Sequence, residues 1–138
     1  MRILALDHGS ATCGCAICDP TETVVRPIEV IKKPDSPAGQ DSLAGLIDRE
    51  AVELVVVGLP RLASGEEGAQ AGAARAFAGR LGARIDAPVK LYDERFTTRL
   101  AQSSIAGGAA AAEDSLAAAH LLEEFLELRR RANTAEDE

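Results

Sequence analysis

Four acidic residues stand where a carboxylate is costly unless something compensates it. Asp7 closes the apolar run Ile3-Leu4-Ala5-Leu6, Asp93 and Glu94 close a second strand-like run, and Asp114 lies on the apolar stripe of a helical segment. A carboxylate at the end of a buried strand needs a cation or hydrogen-bond donors. In open α/β sheets ligands gather outside the carboxyl ends of the parallel strands. Asp7 and Asp93-Glu94 share that end if the first and fifth strands run parallel, and a helix packed across the sheet brings Asp114 to it. Carboxylate oxygens clustered in this way suit Mg²⁺ or Mn²⁺. A pair of such ions activates a water and stabilises the leaving oxygen of a phosphodiester. Strand alternation puts Asp93 and Glu94 on opposite faces, so one of the two is expected as a ligand, and spacing alone does not choose. Each carboxylate also has a plainer role open to it. Asp114 can cap a helix, Asp7 can fix the turn after it, and Asp93 or Glu94 can pair with Arg95 or Lys90 at the surface.

Other reactive side chains read as structural. Ser64-Gly65-Glu66-Glu67 fits a capping box that opens a helix, which makes Glu67 a helix-start residue. Cys13, Cys15 and Cys18 have metal-like spacing, but on a strand Cys18 faces away from the other two, so small core residues are expected rather than a zinc site. His8 stands beside Asp7 and could contact substrate, although a lone His at a turn is usually structural or solvated, and His120 sits mid-helix.

The elements that must position these residues follow from periodicity. Arg2–Asp7 predicts a buried strand, Cys13–Cys18 a second stopped by Asp19-Pro20, and Val24–Ile31 a third whose Pro27 marks an edge. Their short spacing fits antiparallel hairpins. Pro34–Gln40 reads as a loop, with Asp41 as the N-cap of a helix carrying Leu43, Leu46 and Ile47. Glu53–Val57 is a strand buried on both faces, ended by Gly58-Leu59-Pro60. A second helix aligns Ala73, Phe77 and Leu81 and stops at Gly82. Pro88–Glu94 is a fifth strand and Thr97–Ile105 a short helix. Gly107-Gly108 begins a crossing to a last helix with Asp114, Ala118, Leu121, Phe125 and Leu128 in line, ended by Arg129–Arg131. The order predicts an α/β fold with a mixed five-stranded sheet flanked by helices: one domain over 1–131, and an acidic, flexible, solvated tail over 132–138.

Composition bounds the function. With 138 residues the chain is one domain's worth and can build a core without disulfides or a structural metal. The hydrophobic share of 46% and charged share of 27% describe a globular chain, and no apolar run reaches a membrane span. The beginning MRILALDHGS lacks the pattern of a signal peptide. Three Cys cannot all pair with one another, which points to a reducing, cytoplasmic setting. At 3% aromatic residues and no Trp, base-stacking platforms are not expected. The net charge of −7 argues against holding polyanions by bulk attraction. Glu136, Asp137 and Glu138 belong to the tail, however, and with Asp7, Glu94 and Asp114 set aside as ligands the remainder is close to charge balance. Arg75, Arg80, Arg84, Arg95, Arg99 and Arg129–Arg131 then remain for local phosphate contacts.

Four ordered segments together resemble the YqgF/RuvX family, Holliday-junction-resolvase-like nucleases of the RNase H-like (RuvC-like) fold. They are Leu6-Asp7-His8-Gly9-Ser10 with Gly14-Cys15-Ala16; Val56-Val57-Gly58-Leu59-Pro60 through Gly68; Asp93-Glu94-Arg95-Phe96-Thr97-Thr98; and Asp114-Ser115-Leu116-Ala117-Ala118. The resemblance implies a Mg²⁺ or Mn²⁺ site on Asp7, the Asp93-Glu94 pair with Glu94 preferred, and Asp114, the same three acting as the catalytic residues. It implies substrate contacts from Gly58, Leu59, Pro60, Arg95, Thr97 and Thr98. The chain departs from the family at Thr12-Cys13, where Arg-Ile is frequent, and at His8, where an aromatic or aliphatic residue is usual. Gly107–Glu113, a stretch often basic in the family, carries no basic residue here.

The expected activity is therefore a divalent-metal-dependent endonuclease acting on structured nucleic acid: the 5′ end of pre-16S rRNA first, on ribosomal precursor particles, or branched DNA as a Holliday junction resolvase. Self-association as a homodimer is consistent with resolvases of branched DNA, and no membrane is involved. A non-catalytic ribosome-assembly factor that keeps the fold is the competing reading, motivated by the acidic charge and the missing basic stretch. A phosphate loop of the actin and sugar-kinase class is set aside, because that class needs two domains around its nucleotide.

Overall fold

The computed structural model describes residues 1–60, 62, 64–93 and 110–137, with side chains of 115–134 in the last segment. Five strands form one sheet in the order β3-β2-β1-β4-β5. They are β1 (Ile3–His8), β2 (Thr12–Cys18), β3 (Val25–Lys32), β4 (Leu54–Leu59) and β5 (Val89–Asp93). β1, β2 and β3 form an antiparallel meander. β4 runs parallel to β1, and β5 parallel to β4. The first and fifth strands therefore point the same way, as the clustering of acids requires. Pro27 lies in β3, an edge strand, where its missing N–H costs no ladder bond.

Among the described residues three helices cover the sheet. α1 (Pro37–Arg49) and α2 (Ala69–Arg84) connect β3 to β4 and β4 to β5, and α3 (Ala110–Asp137) follows β5. Alternation along each strand sorts the core into two layers. Leu4, Leu6, Cys13, Cys15, Ile17, Val55, Val57 and Leu59 pack with Leu43, Leu46, Phe77 and Leu81 of α1 and α2. Ile3, Ala5, Ala16, Cys18, Leu54 and Val56 pack with Ala118, Leu121, Leu122 and Leu126 of α3. The uninterrupted apolar runs of β1 and β4 follow from burial on both faces. The cysteines divide as their spacing predicts, all buried and free, with Cys18 on the α3 face. The Cys15 thiol and burial push the Cys13 thiol up, so it stays protonated in the core.

Several boundaries differ from the sequence expectation. α1 starts at Pro37, and its N-cap is Ser36, whose Oγ accepts from Gly39 N; Asp41 lies inside the helix and pairs with Arg84. At Gly39 a Cβ would stand 2.1 Å from Lys33 O, so only glycine lets this first turn seat on the preceding loop. The capping box of Ser64 and Glu67 does not form. α2 begins after Gly68 without a side-chain cap, and Glu67 instead grips Arg75 through two 2.7 Å hydrogen bonds. α2 runs through Gly82 to Arg84, and its buried stripe is Ala71, Ala74, Phe77, Ala78 and Leu81, with Ala73 exposed. Gly58 and Leu59 belong to β4 rather than to a loop. Leu128 is exposed and Leu126 takes its place in the core. α3 does not stop at Arg131 but continues as helix to Asp137, with residues 131–134 exposed. The expected helix Thr97–Ile105 and the Gly107-Gly108 crossing lie outside the described residues. No described helix is long and apolar enough to cross a membrane.

Candidate active site

Asp7 is half-buried at the carboxyl end of β1, in phase with Ile3 and Ala5, and so projects from the α3 face. Its partner on β2 is Gly14. On β4 the pairing of Leu6 with Val57 puts Gly58 at its side. Residues opposite one another on paired strands share a face, so Asp7 is flanked on both sides by positions without a side chain. The apolar layer thus ends in one carboxylate set between two glycine positions.

β5 adds Tyr92 at this level, paired with Gly58. Its ring meets Phe125 edge-on at 5.8 Å, and its hydroxyl donates to Glu124 Oε1 at 2.9 Å. Burial and the Glu124 carboxylate push the Tyr92 hydroxyl up, which keeps it a donor. Tyr92 therefore clamps the end of β5 onto α3. Asp93 pairs with Leu59, a residue of the other core layer, and so faces away from Asp7.

α3 runs back against β1. Ser115 Oγ donates to Ile28 O at 2.8 Å, and Ile28 lies in the β3 irregularity beside Cys15, the partner of Leu6. At the other end, Arg129 donates to Glu22 Oε1 and lies 3.8 Å from Met1 Sδ. The helix therefore begins at the carboxyl end of β1, and Asp114 immediately precedes the pinned Ser115. The helical backbone at Asp114 is described; its side chain, Glu94, Arg95, Thr97 and Thr98 lie outside the described set. Of the other expected substrate contacts, Gly58 is a buried strand residue beside Asp7. Leu59, 4% exposed, belongs to the α1/α2 core and offers no side chain to a substrate. Pro60 follows the strand.

On the opposite face of the same strand end, His8 is neither solvated nor free. Its ring stacks on Phe77 with centroids 4.5 Å apart, and its Nε2 donates to Asp35 Oδ2 at 2.8 Å. Arg80 donates to the other oxygen of Asp35. Burial works to raise the Asp35 carboxyl, but the hydrogen bonds from His8 and Arg80 outweigh it and hold the group below the usual carboxylate range. Gly9 makes the turn that follows, its N–H donating to Thr12 O at 2.9 Å. Sequence reasoning missed Asp35, Tyr92 and Ser115, and it kept Arg80 for phosphate contact where the structure pairs it with Asp35. Only Tyr92, in phase for the α3 face on the last strand, left a local signal.

A family model described as Holliday junction resolvase, RuvX, matches residues 1–128. The chain belongs to the RuvX family. Relatives named "Putative pre-16S rRNA nuclease" include one from Gloeobacter violaceus, 37% identical over 94% of this chain and 86% of its own length. Another, from Streptomyces avermitilis, is 37% identical over 99% and 92%. Among solved structures, RuvC of T. thermophilus in complex with Holliday junction substrate aligns with a TM-score of 0.59 at 19% identity, over 94% of this chain and 96% of that one. The fowlpox virus Holliday junction resolvase aligns at 0.54 and 16% identity, over 92% and 99%. These two share the RuvC-like, RNase H-like fold with this RuvX chain.

A divalent cation is implied by this fold family, and the residues present fit one. Asp7 supplies a half-buried hard oxygen donor at the strand end between Gly14 and Gly58, the kind of ligand Mg²⁺ and Mn²⁺ favour. Among the described residues no group of three or more His, Cys, Asp or Glu forms a preassembled ligand cluster.

Proposed function

We propose that this RuvX chain is an endonuclease that hydrolyses phosphodiesters in structured RNA, with the 5′ end of pre-16S rRNA as its substrate and Mg²⁺ or Mn²⁺ as its cofactor. The observation that carries the reading is the half-buried Asp7 between Gly14 and Gly58, at the end of the sheet to which α3 brings Asp114. Tyr92 on the α3 face and Asp93 on the other support Glu94, the next residue in phase, as the second carboxylate. Asp7, Glu94 and Asp114 would hold the cation, which when bound supplies water activation and neutralises charge on the leaving oxygen. The apolar strands beneath Asp7 keep bulk water from one side of the site. Arg95, Thr97, Thr98 and Pro60 are assigned to the substrate backbone.

The test is cleavage of a precursor rRNA leader, and of a four-way DNA junction beside it, with Mg²⁺ or Mn²⁺. Asp7→Asn keeps the size of the side chain and removes its charge, so the rate should fall at least about a hundredfold. Cleavage that persists without divalent metal, or survives Asp7→Asn, would overturn the mechanism. The family description favours one second reading, in which the junction is the better substrate; the same assay decides between them. A non-catalytic assembly factor would instead leave rRNA processing normal in cells carrying Asp7→Asn.

A further inference from the structure

Behind the site, on the α1/α2 side of β1, lies a pocket of about 290 Å³ bounded by His8, Ser10, Asp35, Ala69, Gln70 and Ala73. It is lined by Gly9 and Ser10, the turn residues that follow β1, the strand whose end carries Asp7. Its chemistry is specific. Asp35 is fixed from two directions, by His8 inside and Arg80 outside, and each carboxylate oxygen keeps a further lone pair. The cations that touch Asp35 are committed to it, and its remaining lone pairs accept neutral N–H donors but offer nothing to a phosphate oxygen. The hydroxyl of Ser10 and the amide of Gln70, both exposed, make no hydrogen bond with the described residues. Each can donate or accept. Ala69 and Ala73 are small apolar residues one turn apart on α2, leaving room for a flat ring beside them.

We infer that this pocket receives one unpaired nucleobase of the substrate strand next to the cut, read by Asp35, Gln70 and Ser10, with guanine the best match. The inference rests on the nuclease reading above and deepens it. Guanine presents two adjacent N–H donors, N1 and the 2-amino group, to a single carboxylate, and its remaining edge suits an amide and a hydroxyl. Recognition of splayed-out bases through their edges is the usual way a protein reads structured RNA. The pocket lies on the face of the sheet opposite the Asp7 carboxylate, so reading the base and cutting the backbone fall to different residues of one strand end.

The experiment places guanine, inosine, adenine or uracil at each nucleotide flanking the cut, in ribo and deoxyribo strands, and compares cleavage by the parent chain, Gln70→Ala and Asp35→Asn. Inosine lacks only the 2-amino group. At one position guanine should exceed inosine and uracil by about tenfold, and both variants should bring that ratio to within about threefold. Gln70 is exposed, so its variant folds even if Asp35→Asn loosens the His8 clamp. A parallel arm measures binding of the same short strands by anisotropy, with Ca²⁺ replacing Mg²⁺. There the guanine preference and its loss in Gln70→Ala should persist even if no cleavage is seen, which separates this inference from the nuclease reading. The ribo and deoxyribo series show which kind of strand supplies the base. Equal treatment of all bases at every position, or a preference that Gln70→Ala and Asp35→Asn leave intact, overturns the proposal.

Discussion

Asp7 shows how much a single position can disclose. A carboxylate ending four apolar residues is legible from sequence alone, because burial of the strand makes its presence expensive. What gives it room is less visible. Gly14 and Gly58 are distant in sequence and become neighbours of Asp7 only through strand pairing. Gly58→Ala would set a methyl beside the carboxylate, and cleavage should fall about tenfold or more, beyond what a stability cost of about 1–3 kcal/mol from overpacking this buried strand explains. Activity and thermal melts on the same preparation check this; unimpaired cleavage would show that the bare position beside Asp7 is not needed. His8 marks the limit of reading one residue at a time. Its partner Asp35 is 27 residues away, and Arg80 is 45 residues beyond that, so no local pattern could have joined them.

At the scale of elements, the strands were legible to within a residue or two, because alternation and apolar runs report burial directly. Helix ends were less so. Asp41 has the right chemistry for an N-cap, but Ser36 followed by Pro37 holds the start one turn earlier, with Pro at the first helical position. Ser36→Ala should cost about 1 kcal/mol in urea unfolding, and Ser36→Asp should restore it. The β2–β3 hairpin has a carboxylate lock of its own. Asp19 Oδ1 accepts from the N–H groups of Thr23 and Val24 at 2.8 and 2.9 Å. Bonds from the Thr21 hydroxyl and then from these N–H groups bring its pKa from 3.8 to about 2. A depressed carboxylate stabilises the fold above its unfolded value and loses that contribution as pH falls through the folded one. Asp19→Ala should therefore unfold at lower urea than the parent at pH 7, and the gap should close between about pH 4 and pH 2. A gap that stays constant over that range would remove Asp19 from the acid limb.

The whole molecule combines a charge of −7 with a fold shared with resolvases that engage junction DNA. On the proposed reading bulk attraction does not hold the substrate, and affinity would come from the metal, from Arg side chains placed locally and from structure in the nucleic acid. Binding to a plain duplex without divalent metal should be no tighter than about 10⁻⁶ M and should vanish as salt rises to about 0.2 M. A salt-resistant nanomolar complex under those conditions would contradict this account. The fold class and its single layered sheet could be read from the order of elements. The division of labour between its faces could not, since it depends on which helix covers which side.

That division has an evolutionary corollary. Because Asp7 and His8 are adjacent and point to opposite layers, a shift of β1 by one residue would exchange an acid for an imidazole on both sides at once. Deletions or insertions within residues 1–8 should therefore be lethal to activity even where the sheet still forms. The hairpin at 19–24 carries none of that chemistry, but its Glu22 holds Arg129 of α3 and its Asp19 locks the turn, so a change of length there should cost stability rather than activity.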